Sequence, residues 1–188
     1  MRAKLRAATA AAHERLHRHP GLAAAATGAI DIDGYRGLLA RLYGFHCAVD
    51  ETPLVSPWTR QTPRSRLIER DLEALGVARH RWEVLPRCAA LPPLATEAQA
   101  LGALYVVEGS ALGGAAIARA VAPLLAPFDG GSRFFSGDDE KGRGWPALLA
   151  HIETLDREPP CARAAIESAV ATFASFEEWM AGWAPLSD

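Results

Sequence analysis

The sequence has little of what marks a secreted, membrane-spanning or nucleic-acid-binding protein. It holds three cysteines, Cys47, Cys88 and Cys161, scattered along the chain and odd in number. No Cys-x-x-Cys pair occurs, so neither a disulfide framework nor a cysteine zinc site is expected. Charge of one sign is not in excess: 20 Lys and Arg stand against 22 Asp and Glu, a net charge of −2. That balance argues against a nucleic-acid partner and against a polybasic membrane surface. No run of about 18 uninterrupted apolar residues appears, so no membrane span is expected. The first twenty residues, MRAKLRAATAAAHERLHRHP, are broken by Arg, Lys, His and Glu and do not read as a secretory signal. These absences point to the cytoplasm.

What is present is helix-forming material. The 188 residues suit a single domain, 1–188, with enough chain to bury a core. Apolar residues at 49% and charged residues at 22% exclude disorder. Alanine makes up about a fifth of the chain, and it favours helix over strand. The expected fold class is all-α, not a sandwich or barrel. Apolar spacing predicts a first helix over Lys4 to His19, stopped by Pro20-Gly21. A second spans Asp31 to Val49, capped by Asp31 or Asp33. A third follows Thr62-Pro63 and ends at Gly76. Residues 77–95 read as a connector broken by prolines. Thr96 with Gln99 forms a capping box for a fourth helix to about Leu125. A loop covers Pro127 to Gly144, a fifth helix Trp145 to Leu155, and a sixth runs from Pro160 to about Trp183.

The fourth helix carries glycines where an alanine-rich chain has no need of them. Each costs about 0.5–1 kcal/mol relative to Ala. Gly102, Gly109 and Gly113 are spaced by seven and four, so they share one nearly bare face. Either a flat ligand or a second helix approaches that face closely, and Gly113-Gly114 marks a kink beside it. On the first helix, His13 and His17 are four apart. His13-Glu14-Arg15-Leu16-His17 matches the metalloprotease pattern HExxH, but His19 follows too closely to be the third ligand. His17 and His19 read as solvated cations at a helix C-terminus. A neutral imidazole at His13 is a good iron or zinc ligand.

Two segments taken together resemble the bacterial heme oxygenases, closest to the biliverdin-producing subgroup associated with bacteriophytochromes. They are Leu5-Arg6-Ala7-Ala8-Thr9-Ala10-Ala11-Ala12-His13-Glu14 and Tyr105-Val106-Val107-Glu108-Gly109-Ser110-Ala111-Leu112-Gly113-Gly114. Phe134-Phe135-Ser136-Gly137, Trp145 and Ala171-Thr172-Phe173 with Trp179 extend the likeness over nearly the whole chain. The resemblance implies a heme-oxygenase-like bundle with heme between the first helix and a glycine-kinked distal helix. His13 matches the proximal iron ligand, Arg6 a basic residue for a heme propionate, and Phe173 an aromatic lining the pocket. Gly109, Ser110, Gly113 and Gly114 match the distal motif. Heme is then both cofactor and substrate, and O2 with electrons opens the ring to biliverdin, CO and Fe2+. A ferredoxin with its reductase is the implied donor, and a bacteriophytochrome the implied acceptor of product.

The chain departs from that pattern twice. The family often has an acidic residue after the first distal glycine, where Ser110 stands. Many members carry Glu four residues after the proximal His, where this chain has His17. A neutral imidazole holds iron without the electron push of a thiolate, and its hydrogen-bond partner tunes it. Ser110 and the missing Glu motivate an alternative, a non-catalytic heme-binding or sensing protein on the same fold. A thiaminase-like hydrolase or a quinone-cofactor oxidase is a further rival that needs no proximal His. Phe173 reads equally as core packing, and Trp145 as core. Lys141 and Arg143 are candidates for the other propionate. Arg60, Arg64, Arg66, Arg70, Arg79 and Arg81 read as a solvated basic face, suited to an acidic reductant.

Overall fold

The computed structural model describes residues 1–55, 58, 63–137 and 144–186, without the side chain of Ala111. Arg60, Thr62, Lys141 and Arg143 therefore lie outside the described residues, and so do the roles expected of them. The described residues form α1 (Arg2–Leu16), α2 (Pro20–Thr27), α3 (Ile32–Asp50), α4 (Arg64–Ala74), α5 (Arg79–Trp82), α6 (Glu97–Leu125), α7 (Arg133–Ser136), α8 (Gly144–Thr154) and α9 (Pro159–Met180). A 3-10 turn over Leu155–Arg157 joins the last two. Among the described residues there is no strand.

Several helix ends follow the expected local chemistry. Asp31 caps α3 by accepting the Gly34 N–H at 2.7 Å. Thr96 and Gln99 form the reciprocal capping box of α6. Gly76 takes φ +78° after α4, a conformation that suits only glycine well. The first helix ends earlier than expected, at Leu16. Pro20-Gly21 does not stop the chain but starts α2, with Pro20 in its first turn and His19 as the N-cap. The His19 ring is thus engaged by the protein and not left in solvent. It accepts the Leu22 N–H at 3.4 Å and meets the Met180 carbonyl at 2.9 Å.

Helices α6 and α9 form the central pair. They come so close at Gly102 that a Cβ there would run into the Ala165 carbonyl, and Ser168 donates to the Gln99 carbonyl at 2.7 Å. Helix α1 lies along α9 and reaches α8. Leu5 enters the cluster of Leu101, Leu104, Leu148 and Phe173, while Arg15 binds both oxygens of Glu177 at 2.7 and 2.8 Å. A second cluster, around Tyr35, Leu39, Leu72 and Phe135, joins α3, α4 and α7. Phe176 and Trp179 pack against both clusters. By length and composition α6 could cross a membrane, but 47% of its most apolar window is buried within the protein. Its apolar residues Leu101, Leu104 and Val107 are core.

Candidate active site

The first wall is α1. Leu5 and Thr9 are its buried positions, with the Thr9 hydroxyl tied to the Leu5 carbonyl at 2.8 Å. One turn beyond Thr9, His13 stands at the protein surface. Its ring lies edge-on to His17 at 4.5 Å between centroids and to Phe173 at 6.3 Å. Partial burial, then the nearby His17, hold its pKa below the ordinary histidine value. That favours the neutral imidazole a metal needs. Glu14 pairs with Arg18 instead of turning to His13. Among the described residues no group of three or more His, Cys, Asp or Glu is placed to hold a metal ion. Arg6, seven residues before His13, shares its face of α1. It is exposed and, with Arg2, draws down the Tyr105 pKa that burial raises. Phe173 is 7% exposed and belongs to the core cluster, so it packs the core and borders His13 at once.

The second wall is α6, which is helical through Gly113-Gly114. Its glycines divide sharply. Gly102 is a contact with α9, and Gly114 is a contact with α7, where a Cβ would lie 2.5 Å from the Phe135 carbonyl oxygen. Both are the helix-packing kind. Gly109 faces the Trp145 ring, 3.3 Å from where a Cβ would sit. Among the described residues, a Cβ on Gly113 would meet nothing within 4 Å. Ser110 and Leu112 are exposed beside it, Leu112 at 65%. Trp145 packs on the core cluster of Leu5, Leu101 and Leu148 as expected, yet it also stacks with Tyr105 at 5.9 Å and covers Gly109. The Ser110 hydroxyl donates to the Val107 carbonyl at 2.7 Å, so its proton is committed to its own helix.

Behind α6 is a polar group that the linear pattern did not disclose. Arg64 is not on a solvated face. It is 8% exposed, with its guanidinium 3.7 Å from Glu108 and over the Phe134 ring at 4.8 Å. His46 and Asp50 of α3 complete the group. Burial lowers the His46 pKa well below the ordinary value and raises those of Asp50 and Glu108. The i, i+4 spacing of His46 and Asp50 was the one available signal, and it is common to any helix. Arg66, Arg70 and Arg79 do remain exposed.

Comparison with known proteins bears on the family and the fold. The family model described as heme oxygenase matches residues 1–182. A protein of Xanthomonas campestris pv. campestris (strain 8004) named heme oxygenase is 33% identical over 161 residues, which is 82% of this chain and 93% of that protein. In fold, the chain is similar to heme oxygenase-1 from the cyanobacterium Synechocystis sp. PCC6803, solved in complex with heme. The TM-score is 0.71 at 19% identity, covering 95% of this chain and 90% of that one.

Proposed function

This chain belongs to the heme oxygenase family and is a heme-degrading enzyme, and from that premise we propose that His13 is the axial iron ligand and that the products are biliverdin, CO and Fe2+. The observation that carries the reading is the His13 imidazole, exposed, biased to neutrality and held edge-on to Phe173. Bound heme supplies the redox centre and is itself the substrate, with O2 as co-substrate. His13 holds the iron without a thiolate's push. Phe173 limits how far the imidazole turns. Arg6, on the same face, pairs with a propionate carboxylate. The backbone at Gly113 lets a flat ring approach α6 where a side chain would intrude, while Gly109 makes room for the Trp145 ring. Gly114 acts one step removed, by seating α6 on α7.

Electrons come from a ferredoxin-type donor with its reductase in the cytoplasm, and the product suits a bacteriophytochrome. Exposed Arg66, Arg70 and Arg79, with half-buried Arg81, are the described cations of the basic stretch that such an acidic donor would meet. A flat salt dependence of turnover would remove that docking face. The principal test is a hemin titration of the purified protein. A Soret band of histidine-ligated heme is expected, converting to a biliverdin spectrum with ascorbate or with ferredoxin and its reductase. A His13→Ala protein that binds and degrades heme as the wild type does would overturn the assignment.

A further inference from the structure

The heme reading uses only half of the motif His13-Glu14-Arg15-Leu16-His17. It takes His13 and leaves His17 without a task. The backbone stays helical through both residues, and the His17 N–H donates to the His13 carbonyl at 3.2 Å. Positions four apart lie one above the other on a helix face. The two rings accordingly meet edge-on, 4.5 Å between centroids with 74° between their planes. Both residues are exposed. Among the described residues the His17 ring touches only His13, and the His13 ring touches His17 and Phe173. No hydrogen bond from a described residue engages a nitrogen of either ring.

The carboxylates beside the pair are already taken. Glu14 pairs with Arg18 at 3.5 Å, and Glu177 of α9 binds Arg15 at 2.7 and 2.8 Å. Among the described residues no third His, Cys, Asp or Glu joins the two histidines. The pair therefore cannot close a four-ligand structural site. With Glu14 turned to Arg18, it also lacks the general base that a metalloprotease of this pattern needs. What remains is two neighbouring imidazoles, a donor set that suits Zn2+ and Cu2+. Two nitrogens on one helix face can hold such an ion while water keeps its other positions, so the ion is free to exchange.

We propose that His13 and His17 together bind one divalent ion of the Zn2+ and Cu2+ class in the heme-free chain, and that this ion and heme exclude one another. Both need the His13 imidazole, so the proposal rests on the heme reading above. His17 is then a ligand of the exchangeable ion and not of heme iron. From the same face of α1 as His13 it cannot reach the opposite side of the porphyrin. Heme enters only when the ion leaves. The concentration of free ion therefore sets how much hemin the chain takes up.

The test uses the full chain, stripped of metal with a chelator, and Zn2+ as the probe. Calorimetric titration should find a Zn2+ site in the wild type that is lost in His13→Ala and in His17→Ala. His151→Ala should keep it, which controls for the exposed His151 beside Glu97. Hemin titration at the Soret band then compares each protein with itself, with and without Zn2+. Zn2+ at about ten times its own Kd should raise the hemin needed for half-saturation about tenfold in the wild type. In His17→Ala the same Zn2+ should leave the midpoint where it was, which no merely structural role of His17 predicts. If circular dichroism shows lost helix in His17→Ala, His17→Gln decides in the same way. No Zn2+ bound, equal binding by wild type and His17→Ala, or a wild-type hemin midpoint that Zn2+ does not move would overturn the proposal. A wild-type chain that takes up no hemin in metal-free buffer would instead sink the heme reading. The Zn2+ titration of the apoprotein still shows in that case whether the pair binds an ion.

Discussion

Gly113 and Gly114 are adjacent in sequence and meet opposite surroundings. Gly114 is buried with the Phe135 carbonyl where its side chain would be, while Gly113 looks onto open space. Eleven positions before Gly113, Gly102 repeats the buried case against α9. One helix therefore uses the same residue for two purposes. At Gly102 and Gly114 the missing methyl lets backbones pack. At Gly113 no described residue needs the space, and an unfilled helical glycine is a standing cost of about 0.5–1 kcal/mol. The packed glycines position α6. The open one leaves room for a ligand.

Substitution separates the two kinds, and Gly102→Ala should act most strongly. Its methyl group meets backbone, which cannot rotate away, so a loss of about 3 kcal/mol or more is expected in urea unfolding of the apoprotein. A pH titration of stability probes the same closed end. Asp71 is fully buried and holds the start of α7, on which Gly114 rests. Burial raises its pKa from 3.8 to about 6. The folded chain therefore keeps a proton that the unfolded chain gives up. Asp71's contribution is fully present below about pH 4 and is lost as pH rises through about 6, by at most about 3 kcal/mol. Asp71→Asn should flatten that slope, and an unchanged slope would remove Asp71 as its source. Gly114→Ala should cost about 2 kcal/mol by pressing on the Phe135 carbonyl. The smallest effect has the opposite sign: Gly113→Ala should stabilise the apoprotein by about 0.5–1 kcal/mol while weakening hemin uptake. Equal losses for Gly113→Ala and Gly114→Ala would erase the distinction.

Local chemistry carried much of the fold. Thr96-x-x-Gln99 and Asp31 mark real helix starts because a cap is satisfied within three residues of itself. Pro20-Gly21 misled because the pair that ends one helix also suits the first turn of the next, and His19 is an uncommon cap. The candidate site was half legible. His13 and the glycine row stand out in the linear pattern. Arg64 did not, since it lies in a stretch rich in arginine and only its packing distinguishes it. Nothing local reveals that Glu108, His46 and Asp50 share a site with it, because they come from different helices.

The sequence by itself determined an all-helical chain, the starts of its main helices and the two segments that identify its family. Those properties depend on residues within one or two turns of each other, where backbone hydrogen bonding and side-chain spacing suffice. Tertiary structure alone decided which glycines are filled by neighbours, that Ser110 bonds back to Val107, and that a cation was buried beside two carboxyl groups. These depend on which surfaces meet, and burial changes the energy of a charge or a missing methyl by kilocalories that no local pattern records.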